Sequence, residues 1–158
     1  MIAGRRLRGI ALALAGLVVS AAPPARAQKA GSVGAGVMLG NPTGLTAKYW
    51  IDGTRAVDLG VGYSTDLAVY GDFLWHSWNV LPQPAQGKLA GYLGVGAQVR
   101  ALDSTEFGIR AAAGASYWLP RDPVEIFAEL VPVFRLTPGT SVGLDGALGL
   151  RYYFSTLN

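Results

Sequence analysis

The 158-residue chain has no cysteine and one histidine, and only 15% of its residues are charged. The first absence removes disulfides and thiolate metal ligands. The second leaves nothing from which a zinc-type ligand cluster could be assembled. Long apolar runs are also missing after the first 22 residues, so no later segment reaches the roughly 20 residues that a membrane-spanning helix needs. A basic patch is absent as well once the N-terminal segment is set aside. Arg5, Arg6 and Arg8 precede the apolar run Ile10 to Ala22, and Ala25-Arg26-Ala27 follows as a small-residue cleavage pattern. Those three parts read as a secretory signal peptide over residues 1–27, with a single domain over 28–158. Four of the 13 basic residues leave with it, so 13 − 4 = 9 basic face 10 acidic groups, for a net charge of −1. An electrostatic footprint for nucleic acid is then lacking, and no nucleic-acid partner is expected.

What the chain does have is a period of two. In Leu67-Ala68-Val69-Tyr70-Gly71-Asp72-Phe73-Leu74-Trp75-His76, the odd positions are Leu, Val, Gly, Phe and Trp and carry no charge, while Tyr70, Asp72 and His76 occupy even ones. Lys48, Asp58, Asp72, Arg100, Glu106, Arg110, Glu125, Glu129, Arg135, Asp145 and Arg151 all fall on the face opposite Val, Leu, Ile, Ala and aromatic residues. Alternation of this kind is strand geometry. Eight strands are expected, near 32–39, 45–51, 56–63, 66–75, 88–100, 106–118, 124–135 and 141–154. Turn residues separate them: Gly40-Asn41-Pro42-Thr43-Gly44, Asp52-Gly53-Thr54, Ser64-Thr65, Leu81-Pro82-Gln83-Pro84, Pro120-Arg121-Asp122-Pro123 and Thr137-Pro138-Gly139.

An exported chain of eight alternating strands without a helix fits an all-β fold, an antiparallel up-and-down transmembrane barrel. In that arrangement the uncharged face meets lipid and the charged face lines the lumen. The even-numbered strands would descend to the periplasmic side, and each ends its apolar face with an aromatic: Tyr49, Trp75, Tyr117, then Tyr152 and Phe154. This is the placement of an interfacial girdle. Tyr63, Phe107 and Phe134 mark the opposite rim. Inside, Gly34, Gly36, Gly60, Gly62, Gly94, Gly96, Gly108, Gly114, Gly143 and Gly149 alternate with Trp50, Tyr70, Tyr92, Phe127 and Tyr153, small beside large, as in a narrow filled barrel. Without a strand-to-helix context or a completed G-x-G-x-x-G, these glycines give no dinucleotide site, and no cofactor is expected.

The expected lumenal charge network comprises Lys48, Asp58, Asp72, Arg110, Glu129, Asp145 and Arg151. Around Gly53 a tight turn sets Lys48 opposite Asp58 as a cross-strand pair, and Arg110 and Glu129 should fall within a position or two of each other. His76 and Ser77 are adjacent and so point to opposite faces, which argues against a nucleophile and base, and for a structural lumenal histidine. Asp66, Asp72, Asp103 and Glu106 toward the outer rim read as solvated carboxylates rather than a divalent-cation site. The outer connections are short and the longest, 79–87, would be periplasmic, the reverse of the usual distribution.

The last segment, Gly146-Ala147-Leu148-Gly149-Leu150-Arg151-Tyr152-Tyr153-Phe154, resembles the terminal strand of outer-membrane barrels, although four residues follow Phe154. The stretch from Val33 to Phe154 resembles the small OmpA/OmpX-type barrels, especially a poorly characterised subgroup with a Leu39-Gly40-Asn41-Pro42-Thr43-Gly44-Leu45 first loop, a Leu74-Trp75-His76 strand end and a terminal Arg-Tyr-Tyr-Phe. The resemblance implies a monomer in the outer membrane of a Gram-negative cell envelope, with outer-membrane lipids and the barrel-assembly machinery as partners. The resemblance is specific for architecture rather than activity; the expected role is structural or surface-interacting, without enzymatic activity. The alternatives are a narrow porin-like pore, a lipid acyl hydrolase or transferase, and a soluble lipocalin-like carrier with the uncharged face turned inward.

Overall fold

A computed structural model describes residues 29–101 and 103–154; the expected signal peptide and the residues after Phe154 lie outside them. Eight strands follow in chain order: β1 (Val33–Asn41), β2 (Thr43–Trp50), β3 (Arg55–Tyr63), β4 (Leu67–Ser77), β5 (Lys88–Ala101), β6 (Thr105–Trp118), β7 (Val124–Thr137) and β8 (Ser141–Phe154). Each pairs antiparallel with its sequence neighbours, and β8 returns to β1, from Val33↔Phe154 to Asn41↔Gly146, so the sheet closes without an edge. Closure gives β1 and β8 partners for the hydrogen-bonding rows that an open sheet would leave unpaired. No helix among the described residues is long and apolar enough to cross a membrane, which says nothing about crossing by strands.

All eight expected strands are present, with ends within two residues of those read from the alternation. The largest correction concerns the first turn. Gly40-Asn41-Pro42-Thr43-Gly44 reads as a five-residue loop, yet only Pro42 lies outside a strand. The reason is the closing seam, where β8 holds Gly40 opposite Ala147 and Asn41 opposite Gly146. At β6–β7 the register shifts between Phe107↔Thr137 and Gly108↔Arg135, leaving Leu136 as an extra residue on β7. This bulge carries β7 two residues beyond the expected end. Pairing with β6 is also interrupted between Arg110↔Val133 and Ala113↔Leu130, beside Pro132, whose nitrogen has no proton for a ladder bond.

The polarity of the barrel is inverted relative to a soluble one. Leu39, Leu45, Leu59, Tyr63, Leu93, Leu130, Val142, Leu144 and Leu148 are each at least 55% exposed on the outer wall. Lys48, Asp58, Asp72, Arg100, Arg110, Glu125, Glu129, Asp145 and Arg151 are buried in the lumen. Among the described residues, Arg55 at the first position of β3 is the only charged side chain on the outward face of a strand. The carrier alternative requires the opposite orientation and is not the one the chain adopts. Tyr49, Trp75 and Phe154 are exposed, and Tyr117 and Tyr152 half-buried, on the wall at the end where β1 begins and β8 finishes. Tyr63, Phe107 and Phe134 occupy the other end.

The lumen is filled by glycine and aromatic side chains that meet across strand pairs. Gly34 is opposite Tyr153, Gly60 opposite Tyr70, Gly114 opposite Tyr92 and Gly149 opposite Phe127. In each case the ring lies where a Cβ on the glycine would sit; at Gly34 it would come within 2.6 Å of Tyr153. The absence of a side chain is therefore a packing requirement. Gly96 is different: a Cβ there would meet the Asp72 carboxylate and backbone, so it has no room for the polar replacement that an inward position suggests.

Val95→Arg and Ala113→Arg on the outer wall are expected to destabilise insertion into lipid vesicles by about 2–4 kcal/mol each, if the wall lies at the bilayer midplane. Gly34→Val, on the inner face, is expected to cost about 1–3 kcal/mol in any folded environment, because Tyr153 must leave its rotamer. Folding titrations in vesicles separate the two classes.

Candidate functional site: the charged lumen

The polar core is a stack of charge clusters, each shared by strands distant in sequence. Nearest the start of β1 and the finish of β8, Glu125 of β7 is the hub. Its Oε1 accepts from the Lys48 ammonium at 2.8 Å, and its Oε2 accepts from the Tyr153 hydroxyl at 2.7 Å and from Arg151 Nη1 at 3.3 Å. Arg151 Nη2 in turn donates to Asp58 Oδ2 at 2.6 Å, and Arg151 Nε and Nη2 both donate to Thr46 Oγ1. The Thr46 hydroxyl then donates to Asp58 Oδ1 at 3.0 Å. The Arg151 guanidinium also lies 3.8 Å from the centre of the Phe127 ring, a cation–π contact with its solvent removed.

The second cluster centres on Arg110. Its Nε donates to both oxygens of Asp72, at 3.0 and 3.1 Å, and its Nη1 donates to Gln98 Oε1 at 2.9 Å. The plane of Arg110 lies 3.8 Å from the Tyr70 ring centre, and its Nη2 is 3.8 Å from Glu129. Glu129 also accepts from the Tyr92 hydroxyl at 2.9 Å. Toward the far end, Arg100 Nη2 donates to Asp145 at 2.7 Å and to Asn41 Oδ1 at 3.1 Å, and Asn41 Nδ2 donates to the other Asp145 oxygen. Glu106 and Arg135, half-exposed, pair at 2.7 Å on the rim.

All seven residues expected in the lumenal network are there; of the two expected pairs, Arg110–Glu129 forms at long reach and Lys48–Asp58 does not. Lys48 and Asp58 are indeed opposite in register. Their charges do not meet; the ammonium reaches across to Glu125 and the carboxylate to Arg151. Arg110 is opposite Val133 and Glu129 opposite Gly114, four positions apart rather than one or two, and only the length of both side chains brings them to 3.8 Å. Asp72 is not a solvated rim carboxylate but is buried against Arg110. Among the described residues no three His, Asp or Glu side chains form a cluster that could hold a metal ion. Glu125, Arg100, Thr46, Gln98 and Asn41 complete the network. Parity places the first two inside; nothing in the sequence ranks Glu125 as a hub.

Asp58 and Asp72 are Cα partners across β3 and β4, two like charges that would repel if left alone. Each has its own guanidinium, Arg151 and Arg110, and that assignment makes the pairing tolerable. A buried carboxylate deprived of its cation costs far more than the intact pair contributes.

The end at which β1 begins and β8 finishes is closed by rings. Trp50 lies 6.0 Å from Trp118, and Trp118 lies 4.6 Å from Tyr153. Trp78, from the connection after β4, stacks on Trp50 at 6.2 Å and donates to the Gly53 carbonyl. His76 packs 4.5 Å from Trp50, with Nε2 2.9 Å from the Lys48 ammonium, while Ser77 is exposed on the other side of the wall. The two cannot act as nucleophile and base. On the turn beneath, outside the barrel wall, the Thr54 backbone N–H and the Arg55 side chain hold the Asp52 carboxyl well below the usual carboxylate range.

Because Glu125 neutralises two cations, Glu125→Leu is expected to destabilise by about 3–5 kcal/mol, with Lys48→Met milder because Arg151 and Tyr153 still hold the carboxylate. A double-mutant cycle should give strong coupling between Lys48 and Glu125 and weak coupling between Lys48 and Asp58.

No protein-family model and no curated protein matches the chain. Two solved structures are similar. The N-terminal β-barrel domain of Pseudomonas aeruginosa OprF is 17% identical, with 80% of this chain and 100% of that one covered at a TM-score of 0.55. A de novo designed transmembrane β-barrel is 21% identical, with 80% and 98% covered at a TM-score of 0.49. At such identities the likeness to the OprF domain is one of fold: a closed, antiparallel barrel of eight strands.

Proposed function

We propose that the protein is an integral outer-membrane β-barrel with a structural or surface-interaction role and a lumen closed by side chains. The observation that carries this reading is the inverted polarity, an apolar wall around a closed sheet with nine charged residues buried inside it. A wall of that kind is stable only in a solvent without hydrogen-bonding demands. The aromatic residues at both ends of the wall fit headgroup regions. The connections at the far end, of one to three residues, leave no room for a large receptor or adhesive surface. No catalytic step is assigned, since His76 and Ser77 lie on opposite sides of the wall.

In this reading the signal segment directs export, and the barrel-assembly machinery reads β8 and closes it against β1 as a monomer. Fractionation should recover the protein with outer membranes, resistant to urea extraction and with heat-modifiable electrophoretic mobility; recovery in the soluble periplasm would overturn the assignment. Deleting residues 152–158 removes three of the nine β1–β8 register pairs, Val33↔Phe154, Gly34↔Tyr153 and Ala35↔Tyr152, and should abolish stable insertion. The pore reading is tested separately. Reconstituted in planar bilayers, the protein is expected to give no discrete conductance steps, because the Trp50, Trp118 and Tyr153 rings and the Glu125 cluster occupy the cross-section.

A further inference from the structure

The connection between β4 and β5, residues 78–87, is the longest in the described structure. It is also the least charged of the connections at its end. Trp78 to Gly87 contains no Asp, Glu, Lys or Arg, whereas the neighbouring turns carry Asp52 and Arg121-Asp122. It does not hang free below the barrel. Val80 lies against the outer wall over Gly91, so closely that a Cβ on Gly91 would come within 2.7 Å of Val80 Cγ1, and Leu81 lies just beyond. Gly91 is on the apolar, outward face of β5, between Leu89 and Leu93. The Gln86 carbonyl accepts from the hydroxyl of Tyr117, one of the wall aromatics at this end. The segment is therefore continuous with the apolar wall and level with its aromatic girdle.

Its backbone is organised from within. Gln83 Nε2 donates to the carbonyls of Trp78, Leu81 and Leu89, and Gln83 Oε1 accepts from the Leu89 N–H. Pro82 and Pro84 have no N–H to satisfy. One side chain and two prolines thus supply much of what water would otherwise supply to the loop backbone. Val80 remains 63% exposed, beside a groove of about 470 Å³ bounded by Trp75, Val80, Gly91, Leu93 and Ala113.

We propose that residues 78–87 form a membrane-interface anchor, with Val80 and Leu81 seated among the upper acyl chains of the phospholipid leaflet on the side where β1 begins and β8 finishes. The proposal rests on the membrane reading above. An uncharged segment that bonds its own backbone and presents an aliphatic pair level with an aromatic girdle has the chemistry of an interfacial element. It also gives a physical account of why the long connection lies at this end: the segment extends the wall rather than projecting from it.

The absence of cysteine permits a direct test. Single-cysteine variants Val80→Cys, Val95→Cys and Arg121→Cys are labelled with a small environment-sensitive fluorophore. The labelled proteins are reconstituted in phosphatidylcholine–phosphatidylglycerol vesicles and quenched by aqueous iodide or by nitroxide-bearing lipid. The label at Val80 is expected to be protected from iodide several-fold relative to Arg121 and quenched by nitroxides near the headgroups, with Val95 quenched by deeper ones. If Val80 is as open to iodide as Arg121 while Val95 is protected, the anchor is overturned and the membrane reading stands. If Val95 is also open, the membrane reading itself fails and the anchor with it. Leu81→Cys serves the same comparison if labelling at Val80 prevents folding.

Discussion

Every described strand has an uncharged outer face apart from Arg55, so the charges within the strands have no exit but the lumen. That constraint governs the rest of the structure. An eight-stranded barrel encloses room for side chains and little else. Placing four cations and five carboxylates there, fully buried, is possible only if each has a partner in a fixed place. The clusters around Glu125, Arg110 and Arg100 supply those partners, and in doing so tie together strands that make no backbone contact. Glu125 on β7 bonds Lys48 on β2; Arg110 on β6 bonds Asp72 on β4; Arg100 on β5 bonds Asp145 on β8. The backbone ladder joins nearest neighbours around the wall, while the charges join across it. Wrong registers would leave ions unpaired in a dry interior, so the network serves specificity as much as stability.

Which face each side chain takes was legible in the sequence, because that depends only on parity along a strand. All eleven alternating charges point inward, including the rim pair of Glu106 and Arg135. The partners were not legible. Lys48 and Asp58 are adjacent in register, yet a tilted strand and a long side chain bring Lys48 to Glu125, 77 positions away in sequence. Pairing across the lumen depends on the shear of the closed sheet, and no local pattern encodes that number. The first turn illustrates the same limit. Gly40 and Asn41 have turn composition, but β8 recruits both into the closing seam. Local turn chemistry is outweighed there by a partner strand more than 100 residues later.

Glycine shows how far composition can be read and where geometry takes over. The alternation of glycine with aromatic residues on the inner face is visible in the chain, and four of those glycines do sit under rings of the next strand. A tyrosine laid over a bare backbone fills the lumen at a low level, leaving the centre to guanidinium groups that stack on the same rings, as Arg110 does on Tyr70 and Arg151 on Phe127. The small residue, the ring and the cation thus form layers from wall to axis. Gly96 looks equivalent in sequence but lies against the Asp72 carboxylate that neutralises Arg110. Its smallness makes space for a charge rather than a ring, a distinction that appears only once the register is known.

The connection after β4 joins two properties that would otherwise be independent. Its first residue, Trp78, stacks beneath Trp50 and helps close the lumen, and two residues later Val80 lies on the outside of the wall over Gly91. The chain therefore passes from the sealed interior, under the rim, to the apolar exterior within three residues. Gln83 fixes that path by bonding both ends of it, the Trp78 carbonyl and the Leu89 backbone. The inner and outer parts of the connection thus share the hydrogen bonds of one amide side chain.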